Sequence, residues 1–308
     1  MRPLFVMAFA MNLQSMPMSA HLKLGMRATT AEGGKVTFEQ RRIRGRTVSL
    51  ARLMVRTSGS PGMTLDVDAE RAWIAERIRS VARPGSWEKL QAYLGSPVPV
   101  LGLTTPQLRA IHGEFRKRHP DVATADANAL AAALWATRIF EEKAFAIGLL
   151  GRQGEALDER SWSLMDSWVD EATGWALSDG LASGPVSAMV RAKPARFREV
   201  LRWTKAESYW RRRASTYALN DLVRAGELDK PLQLLERLLY DPEFWVQRAV
   251  GTWLRECWKQ DAGRTETFLR KHANGLPPVT ITVATERASK EFREELRRKS
   301  KASRAKPR

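Results

Sequence analysis

Seven residues, YWRRRAS at 209–215, return 35 positions later as FWVQRAV at 244–250, and this interval constrains the fold more than any other feature of the chain. Trp210 aligns with Trp245, Arg213 with Arg248, Ala214 with Ala249 and Leu219 with Leu254. Stepping back by the same interval reaches Trp175 and then Phe140, with Lys143 and Ala144 in the basic and alanine positions of the earliest copy. A unit of this length built from two helices cannot bury its apolar face alone and must stack on its neighbours. The interval therefore predicts an all-α chain, an α-solenoid of HEAT-like helical repeats (an α-α superhelix) whose concave side is a binding groove.

The rest of the sequence agrees with that reading. From Asp66 to about Arg298 helical patterns follow one another, punctuated by Gly and Pro, with no alternation long enough for a sheet. Start signals mark several helices: Thr104 with Pro106 and Gln107 opens one, and Asp229 ahead of Pro231 opens another. Twelve helices are expected, among them Phe140–Leu150, Trp175–Ala182, one continuous helix over Ser208–Arg224, and Glu243–Lys259.

The net charge is +17, but its placement limits what it means. Residues 1–62 carry +8 and residues 297–308 carry +7, leaving +2 for residues 63–296. Bulk charge thus does not make the core a DNA-binding surface, and local patches must do so. Residues 1–62 also hold seven of the ten methionines and no tryptophan, and show no helical period. They read as a leader or a mis-assigned start ahead of Met63, with 63–296 as the repeat domain and 297–308 as a basic disordered tail. One cysteine, Cys257, excludes an internal disulfide framework, and no stretch has the length and apolarity of a membrane span. A soluble, cytoplasmic monomer is the expectation.

One repeat breaks its own rule. Where the other copies have Ala144, Ala214 and Ala249, the copy that begins at Trp175 has Asp179. Trp175 and Asp179 lie one helical turn apart on one face, and Leu177 and Leu181 lie nearly opposite, free to serve the core. Asp179 is a site carboxylate, a plain surface charge, or a cap for the turn at Gly180. Arg211, Arg212, Arg213, Arg248 and Arg255 form either a phosphate-following stripe or solvated helix faces. Most of the tryptophans belong in the core.

The segments YLGSPVPVLGLTTPQLRAI (93–111), WALSD (175–179), YWRRRA (209–214) and FWVQRAVGTWLRE (244–256), taken in order, resemble the DNA alkylation repair glycosylases of the AlkD type, over residues 66–290. The resemblance implies a superhelix that excises cationic N3- and N7-alkylpurines from duplex DNA without a metal or nucleotide cofactor. It matches Asp179 to the catalytic aspartate, Trp175 to an aromatic wall of the lesion site, and Arg213 to a cleft arginine that holds a phosphate. Arg248 and Trp253 join the DNA-binding set. The family usually reads Gly-Trp-x-Leu-Arg-Glu in the last segment; here Gly251 is followed by Thr252 and only then Trp253. A shift of about 100° around the helix turns Trp253 toward packing rather than the cleft.

Other chemistries lack candidates. The four histidines, His21, His112, His119 and His272, are scattered without zinc-ligand spacing or a Ser/His/Asp grouping, and no glycine-rich phosphate loop precedes a helix. Two function classes remain: a monofunctional glycosylase centred on Asp179, and a noncatalytic repeat module that binds damaged or branched DNA or a protein partner.

Overall fold

The structure, a computed structural model, describes residues 35–43, 46–54, 65–83 and 85–304. Two compact units are distinguished. Residues 15–64 contain an antiparallel pair, β1 (Lys35–Ile43) and β2 (Arg46–Met54), registered from Lys35 opposite Met54 to Ile43 opposite Arg46. This pair lies in the stretch read from sequence as a leader, where no periodicity signalled it. The start at Met63 lies outside the described residues.

The other unit has helices and connecting loops, with no strand, among its described residues and carries the core. Its elements are α1 (Val67–Val81), α2 (Glu88–Leu94), α3 (Thr105–Arg118), α4 (Thr124–Trp135), α5 (Phe140–Gly151), α6 (Glu159–Glu171), α7 (Trp175–Leu181) and α8 (Ser187–Ala192). There follow α9 (Arg196–Trp203), α10 (Tyr209–Tyr217), α11 (Asn220–Arg224), α12 (Asp229–Glu236), α13 (Phe244–Gln260), α14 (Ala262–Lys271), α15 (Pro278–Ala284) and α16 (Lys290–Arg304). No helix among the described residues is long and apolar enough to cross a membrane.

The sequence interval has a direct structural meaning. Phe140 and Trp175 are the first residues of α5 and α7, and Trp210 and Trp245 are the second residues of α10 and α13. Each copy starts a helix, and α10 packs between α7 and α13. Helix starts are fixed by local chemistry. Thr104 accepts from the Gln107 backbone N–H while the Gln107 side chain accepts from the Thr104 N–H, and Asp158 and Ser161 do the same ahead of α6. At α12 the helix begins at Asp229 itself, two residues before the expected start at Pro231, so Asp229 lies inside the helix and not ahead of it, and its carboxylate pairs with Arg264 instead of capping.

Two expectations are corrected, and one helix stands where no sequence signal marked it. The single helix over Ser208–Arg224 is two, because the Leu219 N–H bonds the Thr216 carbonyl three residues back and tightens the ladder there. The segment PVTITVA, rich in β-branched residues, forms α15 because α13 opens a seat for it. A Cβ on Gly251 would stand 2.8 Å from the Val283 Cβ and 3.0 Å from the Thr280 carbonyl oxygen, so only glycine lets the two helices approach this closely. The basic tail is helical in its first part: α16 runs through Arg304, with Phe292 and Leu296 buried beneath it.

Beyond α7 the chain makes a π-helical turn at Ala182–Val186, with Gly184 off helical dihedrals at φ −93° and ψ −109°. Pro185 cannot donate a backbone bond, and its ring would crowd the preceding turn, so the helix widens there. The Asp179 carbonyl, next to this break, is taken up by the Ser183 hydroxyl at 2.6 Å.

Candidate active site

A cavity of about 1060 Å³ opens on side chains from α2, α5, α7, α10 and α13, and Trp175, Asp179, Arg213, Arg248 and Trp253 all line it. All five residues singled out in the sequence thus share one cavity. Leu177 and Leu181, on the other face of α7, are buried in the core.

Asp179, one of the lining residues, is 6% exposed. Arg213, 4% exposed, donates to it through two parallel bonds, Nε to Oδ1 at 2.8 Å and Nη2 to Oδ2 at 2.6 Å. This fork-to-fork geometry suits a planar guanidinium and a carboxylate. The Tyr217 hydroxyl accepts from Arg213 Nη2 at 3.0 Å. Burial pushes the Asp179 carboxyl above the usual carboxylate range, and the charge and hydrogen bonds of Arg213, with the Tyr217 hydroxyl, pull against it. Burial and the Asp179 charge together raise Tyr217, so the phenol keeps its proton at neutral pH. Arg213 Nη1 donates to the Trp245 carbonyl at 2.6 Å.

The arginine reading from sequence is corrected here. Arg213 turns its fork on Asp179 instead of presenting it to a phosphate. Arg211 is held by Asp166 at 2.9 Å and Asp170 at 2.7 Å, Arg212 by Asp241 at 2.7 Å, and Arg255 by Glu256 and Glu286. A phosphate stripe made of these four is therefore absent. Arg248 differs: it is exposed on the cavity wall and has no carboxylate partner among the described residues.

The aromatic walls are unequal. Trp175, half-buried, donates its indole N–H to the Tyr93 carbonyl at 2.6 Å and meets the Tyr93 ring edge-on, with centroids 5.4 Å apart. Trp253 is 5% exposed and packs edge-on against Tyr217, with centroids 5.5 Å apart at 86°. The indole thus lines the cavity while giving most of its surface to packing. At position 252 stands a threonine whose hydroxyl bonds the Arg248 carbonyl at 3.0 Å.

Sequence reasoning missed several lining residues. Tyr217 is one turn beyond Arg213 and carried that signal. Trp245 was seen only as a repeat marker, yet it is 37% exposed at the cavity, stacked on Trp210 and close to the Arg213 guanidinium. Glu141 is buried beside the repeat aromatic Phe140. It accepts from the Leu101 N–H at 2.9 Å and the Leu103 N–H at 3.3 Å, which fixes the loop over that end of the cavity.

Comparison with known proteins agrees with the architecture. The profile of the family described as DNA alkylation repair enzyme matches residues 74–288. Among solved structures, a predicted DNA alkylation repair enzyme from Enterococcus faecalis superposes with a TM-score of 0.58 at 17% identity, covering 66% of this chain and 94% of the other. AlkD2 from Streptococcus mutans superposes with a TM-score of 0.50 at 15% identity, covering 70% and 98%. No curated protein sequence matches this one. With the repeat fold, the shared cavity and the profile match over most of its helical unit, the chain belongs to the DNA alkylation repair enzyme family.

Proposed function

We propose that the chain is a monofunctional DNA glycosylase that hydrolyses the N-glycosidic bond of cationic N3- and N7-alkylpurines in duplex DNA. The observation that carries this reading is the buried Asp179 carboxylate, held by Arg213 inside a cavity walled by Trp175.

An alkylated purine of this kind is already a cation and departs as a neutral base, so no general acid is needed. As the C1′–N bond breaks, its electron pair stays on the base and C1′ takes on oxocarbenium character. A carboxylate stabilises that charge most where water is excluded. Asp179 also orients the attacking water and accepts its proton as the new C1′–O bond forms. The Trp175 π face favours a cationic sugar or lesion. Arg213 holds the carboxylate in place and opposes the rise that burial imposes on its pKa, and Arg248 takes the phosphate contact that the sequence assigned to Arg213.

The second reading, a noncatalytic module for damaged or branched DNA, is favoured by one observation: Arg213 engages both Asp179 oxygens. Release of 7-methylguanine and 3-methyladenine from methylated duplex DNA, by the full chain and by Asp179→Asn across a salt series, separates the two. Base release by the wild type, lost in a variant that still binds, supports the glycosylase. Salt-dependent binding without release by either supports the module.

A further inference from the structure

We propose that Tyr217 is a positioning residue for this reaction and that Trp253 acts through it: the phenol aligns the Asp179 carboxylate with the Arg213 guanidinium, and the indole holds the phenol. The inference rests on Asp179 being the reacting carboxylate.

Tyr217 holds the arginine of the pair. Its hydroxyl accepts from Arg213 Nη2 at 3.0 Å, and its ring lies 5.0 Å from the Arg213 guanidinium carbon. Two parallel bonds from a guanidinium fix the plane of a carboxylate but still allow the pair to tilt and slide together. The bond to Tyr217, one helical turn along α10, fixes the same Nη2 that donates to Asp179 Oδ2, and so sets the orientation of the pair relative to the cavity.

The phenol is fixed in turn. Trp253 is 95% buried and presents its ring at 86° to that of Tyr217, and an edge-to-face pair of this kind holds ring orientation as well as burying area. The Trp253 indole nitrogen has no hydrogen-bond partner among the described residues, so no polar contact of its own places it there. The indole that moved by one position has become the brace behind the ion pair.

The experiment compares the full chain with Tyr217→Phe, Trp253→Phe and the double variant, after melting curves show that each is folded. Three quantities are read: affinity for methylated duplex DNA, the pH profile of kcat for base release, and the 13C titration of the Asp179 carboxyl. Tyr217→Phe is expected to bind within about twofold of wild type. Its kcat should fall about tenfold, and both the acid limb of the profile and the Asp179 titration should move up by about one pH unit, the size of one lost bond to a charge. Trp253→Phe is expected to lower kcat, and the double variant to be no worse than Tyr217→Phe alone. An unmoved titration and an unchanged profile would overturn the role of Tyr217, while base release by the wild type would leave the glycosylase reading intact. Additive losses in the double variant would overturn the coupling to Trp253. If the wild type releases no base, that reading fails separately, and the carboxyl titration alone decides whether Tyr217 aligns the pair.

Discussion

Gly174 and Gly95 cross backbone to backbone: a Cβ placed on Gly174 would stand 2.0 Å from the Gly95 carbonyl oxygen, and one on Gly95 3.0 Å from the Gly174 Cα. Both adopt left-handed dihedrals, φ +89° and φ +64°. Gly95 ends α2 and Gly174 precedes α7, so the crossing sets the helix that carries Trp175 and Asp179 against the residue, Tyr93, whose carbonyl holds Trp175. Gly174→Ala meets both the steric and the dihedral obstacle, and no flexible side chain can yield. A loss of about 2–4 kcal/mol in urea unfolding is expected, with weaker DNA binding even at temperatures where the protein is folded. Wild-type stability in this variant would contradict the close crossing.

Arg248 and Arg211 separate surface charge from structural charge. Arg248→Ala is expected to weaken binding to methylated duplex DNA and to lower the slope of log affinity against log salt by about one, with the melting temperature unchanged. Arg211→Ala removes the partner of Asp166 and Asp170 and the cation over the Trp203 ring, so the melting temperature should drop while the salt slope stays. Binding titrations from about 50 to 200 mM salt test both. An unchanged slope in Arg248→Ala would remove its phosphate role.

His112 makes stability depend on pH. Its ring lies parallel to Phe145 at 3.8 Å and faces Gly148, where a Cβ would stand 2.5 Å from its Nε2, and burial lowers its pKa to about 3. The unfolded chain takes up this proton near the ordinary value, 6.5, so between pH 6.5 and 3 the unfolded state binds more protons than the folded one. Stability from keeping His112 neutral is full above pH 6.5 and is lost progressively as the pH falls. Thermal melts from pH 7 to 4 should show this decline, and His112→Leu should flatten it. A variant that declines as steeply as wild type would assign the pH dependence to other groups.

The Asp179–Arg213 pair is a liability once broken. Asp179→Ala strands a buried guanidinium and should cost about 3–5 kcal/mol, whereas Asp179→Ala with Arg213→Met removes both charges and should recover most of it. Chemical unfolding of the three proteins measures the difference. If the double variant is no more stable than the single one, the charge left behind is not the cause.

The repeat interval located helix starts because each unit must present the same apolar face to the next, so its register is written into sequence spacing. Asp179 was visible for the same reason, as a carboxylate where three copies carry alanine. The fate of the arginines was not visible. Asp166, Asp170, Asp241 and Glu286 reach Arg211, Arg212 and Arg255 from elements 29 to 45 residues away, and no local pattern records such pairings. Helix α15 was hidden because its β-branched run argues against a helix, while the space above Gly251 that admits it is a property of packing.

The Tyr93 carbonyl holds the Trp175 indole, Asp179 holds Arg213, and Arg213 holds the Trp245 carbonyl, across sequence separations of 82, 34 and 32 residues. These bonds stitch α2, α7, α10 and α13 together through the very groups that face the cavity. No single repeat owns the site, and no single repeat can carry it elsewhere. Its dimensions are those of the stack itself: the spacing of these four helices is the spacing of Trp175, Asp179, Arg213 and Trp245.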